Sequence, residues 1–276
     1  MTSITESAPA KINLALHVRE RLPDGYHVIE TLFAFAQDGD VVTVAESEAP
    51  SFTLTGPFAA GLSGEGDNLV TRAAAAFARE FGIDRPHAIT LDKRMPIASG
   101  IGGGSADAAA TLRALGRLHG IAPDDPRLLA AAAPLGADLP ACLLGQTSLG
   151  TGRGDLLAPI DGLPGTPLLL VNPRVPVSTG AVFRGWDGVD RGPIPHGSLL
   201  DRARAGRNDL APPAIALAPL IAEVEAMLAA TPGVLLARMS GSGATCLALF
   251  EAEAERDAAA AGADARGWWT LCTALA

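Results

Sequence analysis

The segment Pro96-Ile-Ala-Ser-Gly-Ile-Gly-Gly-Gly-Ser-Ala-Asp-Ala-Ala109 constrains this chain more than any other stretch. It follows a strand-like run, Ala88 to Asp92, and leads into an Ala-rich helical stretch from Ser105 to His119 that Gly120 closes. Glycines let a backbone come close to a ligand. Ser105 and the first unpaired amides of the following helix supply donors, and the positive end of the helix dipole favours a negative ligand. Phosphate fits that description. Taken alone, the same residues also read as a flexible turn with an N-capping serine. Two familiar phosphate loops do not fit. A Walker A loop needs Gly-Lys-Ser/Thr at its end, and Gly104 is followed by Ser105 with no lysine. The Rossmann fingerprint needs a third glycine where Ser105 stands, and Pro96 interrupts the strand that should precede it.

The rest of the pattern is mixed. Ile12, Leu14, Leu16 and Val18 alternate with Lys11, Asn13, Ala15 and His17, which predicts a strand from Ala10 to Val18 with a polar second face. Pro23-Asp24-Gly25 is a turn, and Tyr26 to Ala36, Val41 to Ala45 and Phe52 to Thr55 read as further strands. Helices are expected over Asn68 to Phe81 and Pro126 to Ala133. Gly- and Pro-rich stretches at 150–155 and 159–167 mark a compositional break, so the expected domains are 1–160 and 161–276. Beyond the break come a strand at Leu168 to Val171, a short helix near Ala181 to Trp186, a loop to about Arg207, and a helix from Ile215 to Ala229. The chain ends as strand, glycine turn, strand, helix, strand. Without a clean βαβ repeat the expected class is α+β. The turn Ser240-Gly-Ser-Gly243 reads alone as a hairpin; paired with the first glycine loop, it reads as the second wall of a ligand cleft, one wall from each domain.

Charge excludes some partners. Of 276 residues, 21 are Lys or Arg and 30 are Asp or Glu, a net charge of −9 without a basic cluster, which argues against nucleic acid. Only Lys11 and Lys93 are lysines, the other cations being arginine, and Tyr26 is the one tyrosine. A compact ammonium kept in an arginine-dominated chain marks a candidate tight site, although chance gives the same count. Cys142, Cys246 and Cys272 are far apart, lack metal spacing, and suggest buried thiols in a reducing compartment without structural zinc. No signal-like start and no membrane-length apolar run are seen, so a soluble, cytoplasmic protein is expected.

Three segments together carry a family resemblance. Ala8-Pro-Ala-Lys-Ile-Asn-Leu14, the loop Pro96 to Ala109, and Met239-Ser-Gly-Ser-Gly-Ala-Thr245 resemble, in order and spacing, the motifs of the galactokinase, homoserine kinase, mevalonate kinase and phosphomevalonate kinase superfamily. Within it, Pro9-Ala-Lys-Ile-Asn13, Asp24-Gly-Tyr-His27, Gly66-Asp-Asn68, Gly102-Gly-Gly-Ser105 and Gly136-Ala-Asp138 look like the 4-diphosphocytidyl-2-C-methyl-D-erythritol kinases, over nearly the whole chain. The resemblance implies an N-terminal domain like ribosomal protein S5 domain 2, a ferredoxin-like C-terminal domain, and an active site between them.

It also implies transfer of the ATP γ-phosphoryl group to a tertiary hydroxyl, with Mg²⁺ arriving mainly through ATP near Ser105. By the same resemblance Lys11 and Asp138 are catalytic. Asn68, Lys93, Pro96, Ser99, Gly100, Ile101, Gly102, Gly103, Gly104, Ser105 and Ala106 bind ATP. Asn13, Tyr26, His27, Phe183, Ser240 and Gly241 bind the cytidyl substrate, with Tyr26 stacking on cytosine and Phe183 on its other face. No protein metal ligand is assigned. Bland readings stand beside these: a turn aspartate for Asp138, a solvated strand end for Lys93, a core-edge ring for Tyr26, a structural pair for Asn208-Asp209. Ala106 stands where many relatives have a second serine; Ala141-Cys142 replaces a frequent aromatic pair, and Ala211 a frequent acid. The expected partners are small molecules, in a monomer or weak homodimer. A homoserine or mevalonate-type kinase is the nearest alternative, disfavoured by the Asp24 to His27 motif; a non-catalytic nucleotide-binding regulator is disfavoured by the presence of both Lys11 and Asp138.

Overall fold

A computed structural model describes residues 2–62, 68–97 and 99–276; Gly66 and Asp67 of the Gly66-Asp-Asn68 motif and Ala98 of the glycine loop lie outside the described residues. The chain forms two compact units, one made of residues 1–10, 38–97 and 102–145, the other of 11–37, 98–101 and 146–276. This contact-based division interleaves along the chain, unlike a single cut near residue 160, because two long strands, β1 (Ser3–Arg21) and β2 (His27–Glu46), pass through both units.

Sequence reading splits β2 in two at Gln37 to Asp40, but the strand runs through. Gly39 is the reason. An added Cβ there would lie 1.9 Å from the Ala8 carbonyl oxygen, so only glycine lets the two backbones pass. In the first unit β2 pairs antiparallel with β4 (His87–Asp92) through Val41 to Glu46, and β3 (Ser51–Thr55) adds in parallel on the other side of β4. Helix α1 (Leu69–Phe81) buries Val70, Ala73, Ala76 and Phe77 as one stripe. Asn68 caps its start by accepting from Val70 and Thr71 N–H, and Gly82 ends it at φ 65°. Helix α1 packs on α2 (Gly103–Leu118), whose alanines 106, 108, 109, 110 and 114 are buried and allow close approach. Helix α2 begins two residues before the expected Ser105, because Gly102 at φ 64° turns the chain directly into the helix. Helices α3 (Pro126–Ala132) and α4 (Leu139–Leu144) complete the unit.

In the second unit β2 pairs through Thr31 to Phe33 with β5 (Ser148–Thr151), which forms a hairpin with β6 (Leu156–Pro159). A separate antiparallel sheet has the order β10-β7-β9-β8, from β7 (Pro167–Asn172), β8 (Val234–Met239), β9 (Cys246–Phe250) and β10 (Trp269–Ala274). Leu169, Val171, Ala248 and Phe250 meet Val224, Leu228, Ala259 and Ala263 of α8 (Leu220–Ala229) and α9 (Glu253–Asp264) in one core cluster. The class is α+β, as expected. The single helix expected over Ile215 to Ala229 is broken into α7 (Ala211–Leu217) and α8, because Pro219 pushes Ala218 out of the helical region to φ −142°, ψ 84°. The short helices α5 (Thr179–Arg184) and α6 (Leu199–Ala205) precede them, α6 lying where the sequence suggests a loop. Cys142 and Cys246 are buried, but Cys272 on β10 is exposed, against expectation. Among the described residues no helix is long and apolar enough to cross a membrane.

Candidate active site

In the second unit the polar face of β1 is organised around Lys11. Its side chain is 3% exposed, its Nζ donates to Asn13 Oδ1 at 3.0 Å, and the Phe33 ring centroid lies 5.2 Å away. Period-two geometry puts Lys11 and Asn13 on one face, as expected. Two glycine turns close on this strand. The Lys11 N–H donates to Ile101 O (3.0 Å), Thr245 N–H to Ser99 O (3.1 Å), Asn13 N–H to Ser240 Oγ (3.1 Å), and Ser240 Oγ–H to Gly100 O (3.1 Å). Gly100 sits at φ 78°, and a Cβ there would lie 2.7 Å from the carbonyl oxygens of both Ser240 and Gly243. Gly241, at φ 55°, would strike Gly100 O at 3.0 Å. Ser99, Gly100, Ile101, Ser240 and Gly241 are thus brought together beside Lys11 and Asn13. Asn208 fixes the second turn by donating to Met239 O and Gly241 O, each at 2.8 Å. Arg238 donates to Leu14 O, Ala203 O and Gly206 O, tying β1 to the end of α6.

A cluster of rings surrounds the start of β2. Tyr26 is 56% exposed, whereas His27 is buried with its ring 5.1 Å from Phe183 and 5.8 Å from Trp186. Phe183 therefore packs on His27. Arg21 Nε donates to His27 Nε2 at 3.2 Å; burial, and then the Arg21 charge, hold the imidazole below its usual pKa and keep it neutral near pH 7. The Arg153 guanidinium lies 4.3 Å from the Tyr26 ring centroid and reaches Asp24 Oδ2 at 2.5 Å, while Asp24 Oδ1 accepts the Tyr26 N–H at 3.0 Å. That N–H, with Arg153, lowers the Asp24 pKa.

In the first unit the start of α2 is open. Gly102 gives it no side-chain cap, and the amides of Gly103, Gly104 and Ser105 have no acceptor among the described residues. Ala106 differs: it is buried, and its N–H is taken by Gly102 O at 2.8 Å. Beside this helix start a cavity of about 190 Å³ is lined by Leu62, Asn68, Leu69, Leu91, Gly104 and Asp107. Asn68 uses Oδ1 to cap α1, leaving its Nδ2 donor. Pro96 is buried near the end of the preceding segment.

Lys93 is not a solvated strand end. It is 2% exposed, and its ammonium sits between Asp40 Oδ2 at 2.5 Å and Asp107 Oδ2 at 2.7 Å. Burial works against that ammonium, but the two carboxylates outweigh it and raise its pKa. Burial, and then the second carboxylate against the pull of Lys93, pushes Asp107 up to about 8. Asp138 lies in the turn that leads into α4, where it takes the N-cap position without a side-chain cap hydrogen bond.

Sequence reasoning passed over several residues that shape these places. Thr31, Phe33, Asp40 and Arg153 carry no motif; only the interruption of an apolar strand face by Thr31 is visible in the sequence. Lys11 lies in the second unit, and Asp138 in the first.

Comparison with known proteins supplies an independent view. The family model described as GHMP kinases N terminal domain matches residues 68–146, and that described as GHMP kinases C terminal matches residues 196–267. A 4-diphosphocytidyl-2-C-methyl-D-erythritol kinase of Rhizorhabdus wittichii is 59% identical over 98% of this chain and 94% of its own length. One from Sphingopyxis alaskensis is 50% identical, with 99% of each chain covered. A crystal structure of 4-(cytidine 5'-diphospho)-2C-methyl-D-erythritol kinase superposes with a TM-score of 0.82 at 34% identity, over 98% of both chains. A homoserine kinase from Cytophaga hutchinsonii shares the fold at 20% identity and a TM-score of 0.66, over 99% and 94% of the two chains.

Proposed function

The chain belongs to the 4-diphosphocytidyl-2-C-methyl-D-erythritol kinase family of the GHMP kinases, and on that premise we propose that it transfers the γ-phosphoryl group of ATP to the 2-hydroxyl of 4-diphosphocytidyl-2-C-methyl-D-erythritol, in the non-mevalonate route to isoprenoid precursors. The observation that carries the reading is the buried Lys11 ammonium, held on Asn13 beside two turns that admit only glycine at Gly100 and Gly241.

Phosphoryl transfer asks a protein mainly to position reactants and to neutralise charge on the moving group. Lys11 supplies a compact positive charge for the transferred group and the attacking oxygen. Asp138 orients the substrate hydroxyl and accepts its proton. The free amides of Gly103, Gly104 and Ser105 take phosphate oxygens, aided by the α2 dipole. The cavity, with Leu62, Leu69 and Leu91 in its wall and Asn68 at its edge, takes the adenine base. Pro96, Ser99, Gly100, Ile101 and Gly102 shape the loop, Ala106 packs beneath it, and Lys93 supports the cavity wall through Asp40 and Asp107. On the substrate side Tyr26, His27 and Phe183 hold the cytidine, and Ser240 and Gly241 line its approach to Lys11.

Mg²⁺ enters this scheme with the nucleotide. The Ser105 hydroxyl at the start of α2 would be the side-chain oxygen nearest to hold it, and the ion would offset phosphate charge. A functional boundary near residue 160 is supported by family matches that fall on either side of it.

A coupled ADP-release assay with Mg²⁺-ATP and the cytidyl substrate, homoserine or mevalonate tests the proposal. Turnover is expected with the first alone. Turnover only with another acceptor moves the chain to a different kinase specificity, and none with any acceptor leaves a nucleotide-binding regulator.

A further inference from the structure

The contacts of Asn13 raise a question of direction. Its amide has a donor end and an acceptor end of nearly equal shape, and only one orientation serves Lys11, which has protons to give and no acceptor. The neighbour that decides this is Thr31, on β2. Thr31 Oγ lies 2.8 Å from Ala15 O and 2.7 Å from Asn13 Nδ2. Its single hydroxyl proton goes to Ala15 O, a pure acceptor, so toward Asn13 the oxygen can only accept. Asn13 must therefore present Nδ2 to Thr31, which aims Oδ1 at Lys11 Nζ, 3.0 Å away.

The reversed amide would set oxygen against oxygen at Thr31 and N–H against ammonium at Lys11. Water does not relieve either clash, because Thr31 and Ala15 are 0% exposed and Asn13 is 2% exposed. The rotamer of Thr31 is fixed as well. Its strand pairs with β5 at Gly150, and a Cβ on Gly150 would come within 3.2 Å of Thr31 Cγ2, so the methyl group fills that side and leaves Oγ facing β1.

We infer that Thr31 is a positioning residue for phosphoryl transfer: its hydroxyl fixes the amide of Asn13, and that amide fixes the Lys11 ammonium. The inference depends on the proposed role of Lys11. Thr31 touches neither ATP nor acceptor in this account; it acts through Asn13, whose Oδ1 is spent on Lys11 and whose Nδ2 is turned to Thr31, so its loss falls mainly on the reaction step. A misplacement of about 1 Å at a reacting group can cost on the order of 10²-fold in rate.

Thr31→Val keeps the shape and removes the hydroxyl. The expected result is a ~10- to 100-fold fall in kcat, with both KM values within about threefold of wild type. Thr31→Ser, which restores the hydroxyl without the methyl, should recover kcat to within about threefold. Thr31→Ala, which lacks both groups, should resemble Val in kcat. If the Val variant does not fold, the Ser and Ala pair carries the test, since they differ only in the hydroxyl; equal kcat in these two overturns the inference. Lys11→Ala separates the two ideas. Loss of turnover in Lys11→Ala with wild-type kcat in Thr31→Val refutes the role of Thr31 alone, whereas wild-type kcat in Lys11→Ala removes both roles.

Discussion

Replacing Asp107 by asparagine probes the charge cluster beneath the start of α2. Lys93 Nζ serves Asp40 and Asp107 at once. Asp40 has further help from the backbone N–H groups of Arg94 and Met95, at 2.5 and 2.9 Å, but Asp107 Oδ1 has no hydrogen-bond partner. Burial and the neighbouring carboxylate therefore push the Asp107 carboxyl up to about 8, while an unfolded aspartic acid titrates near 3.9. Between about pH 4 and pH 8 the unfolded chain has released this proton and the folded chain still holds it. Over that window rising pH favours unfolding, by about 1.4 kcal/mol per pH unit.

The amide of the Asp107→Asn variant has no such proton to release. The stability of wild type minus that of Asp107→Asn should thus fall by roughly 3 kcal/mol between pH 5 and pH 7, and level off above about pH 8. Urea unfolding of both proteins at pH 5, 6, 7 and 9 measures it directly. Parallel stability profiles from pH 5 to 7 would mean that Asp107 is ionised in the folded protein, and would refute the reasoning. The cluster also bears on the nucleotide. A Cβ on Gly103 would lie 3.1 Å from Lys93 Nζ, so the cluster sits directly under the free amides of α2. With Asp107 protonated its formal charge is zero; once ionised, the cluster places a net negative charge below a proposed phosphate site.

Three other perturbations test other links. Gly100→Ala should cost about 2–5 kcal/mol, combining a left-handed backbone with overlap against Ser240 O and Gly243 O, whereas Gly82→Ala, at φ 65° with open space around it, should cost only about 1 kcal/mol by urea unfolding. Equal losses would mean the turns do not press on one another. Lys11→Arg should lower kcat by roughly 100-fold while the ATP KM stays within about threefold, because the larger guanidinium replaces an ammonium enclosed by Asn13 and Phe33; a near-normal kcat removes Lys11 from the reaction step. Tyr26→Ala should raise the KM for the cytidyl substrate ~5- to 100-fold, the range for losing a base stack, and leave ATP binding unchanged. A matching loss of ATP affinity would make the ring structural.

The parts of this molecule legible in its sequence are those where one residue type alone satisfies a local backbone demand. Asn68 and Gly82 bracket α1 because a cap needs an acceptor and a left-handed turn needs no Cβ, and both demands are met within three residues of the place where they arise. Gly100 and Gly241 could be picked out as glycines, yet their real constraint is the close passage of two distant turns, Gly100 against Ser240 O and Gly243 O and Gly241 against Gly100 O, and spacing holds no trace of that. Pro219 marks a limit of another kind: a proline disfavours helix at the residue before it, yet the apolar pattern continues on both sides, and only the structure shows the break at Ala218. The two lysines sharpen the point. Scarcity singles out both and cannot distinguish them, because Lys93 is explained by Asp40 and Asp107, one 53 residues before it and the other 14 after, while Lys11 is explained by Asn13 two residues on and by Thr31 on the next strand. A threonine in an apolar strand is an ordinary β-former until its one proton is counted. What turns it into a candidate for function is the direction of a hydrogen bond, a property that belongs to the folded chain and to no single position in the sequence.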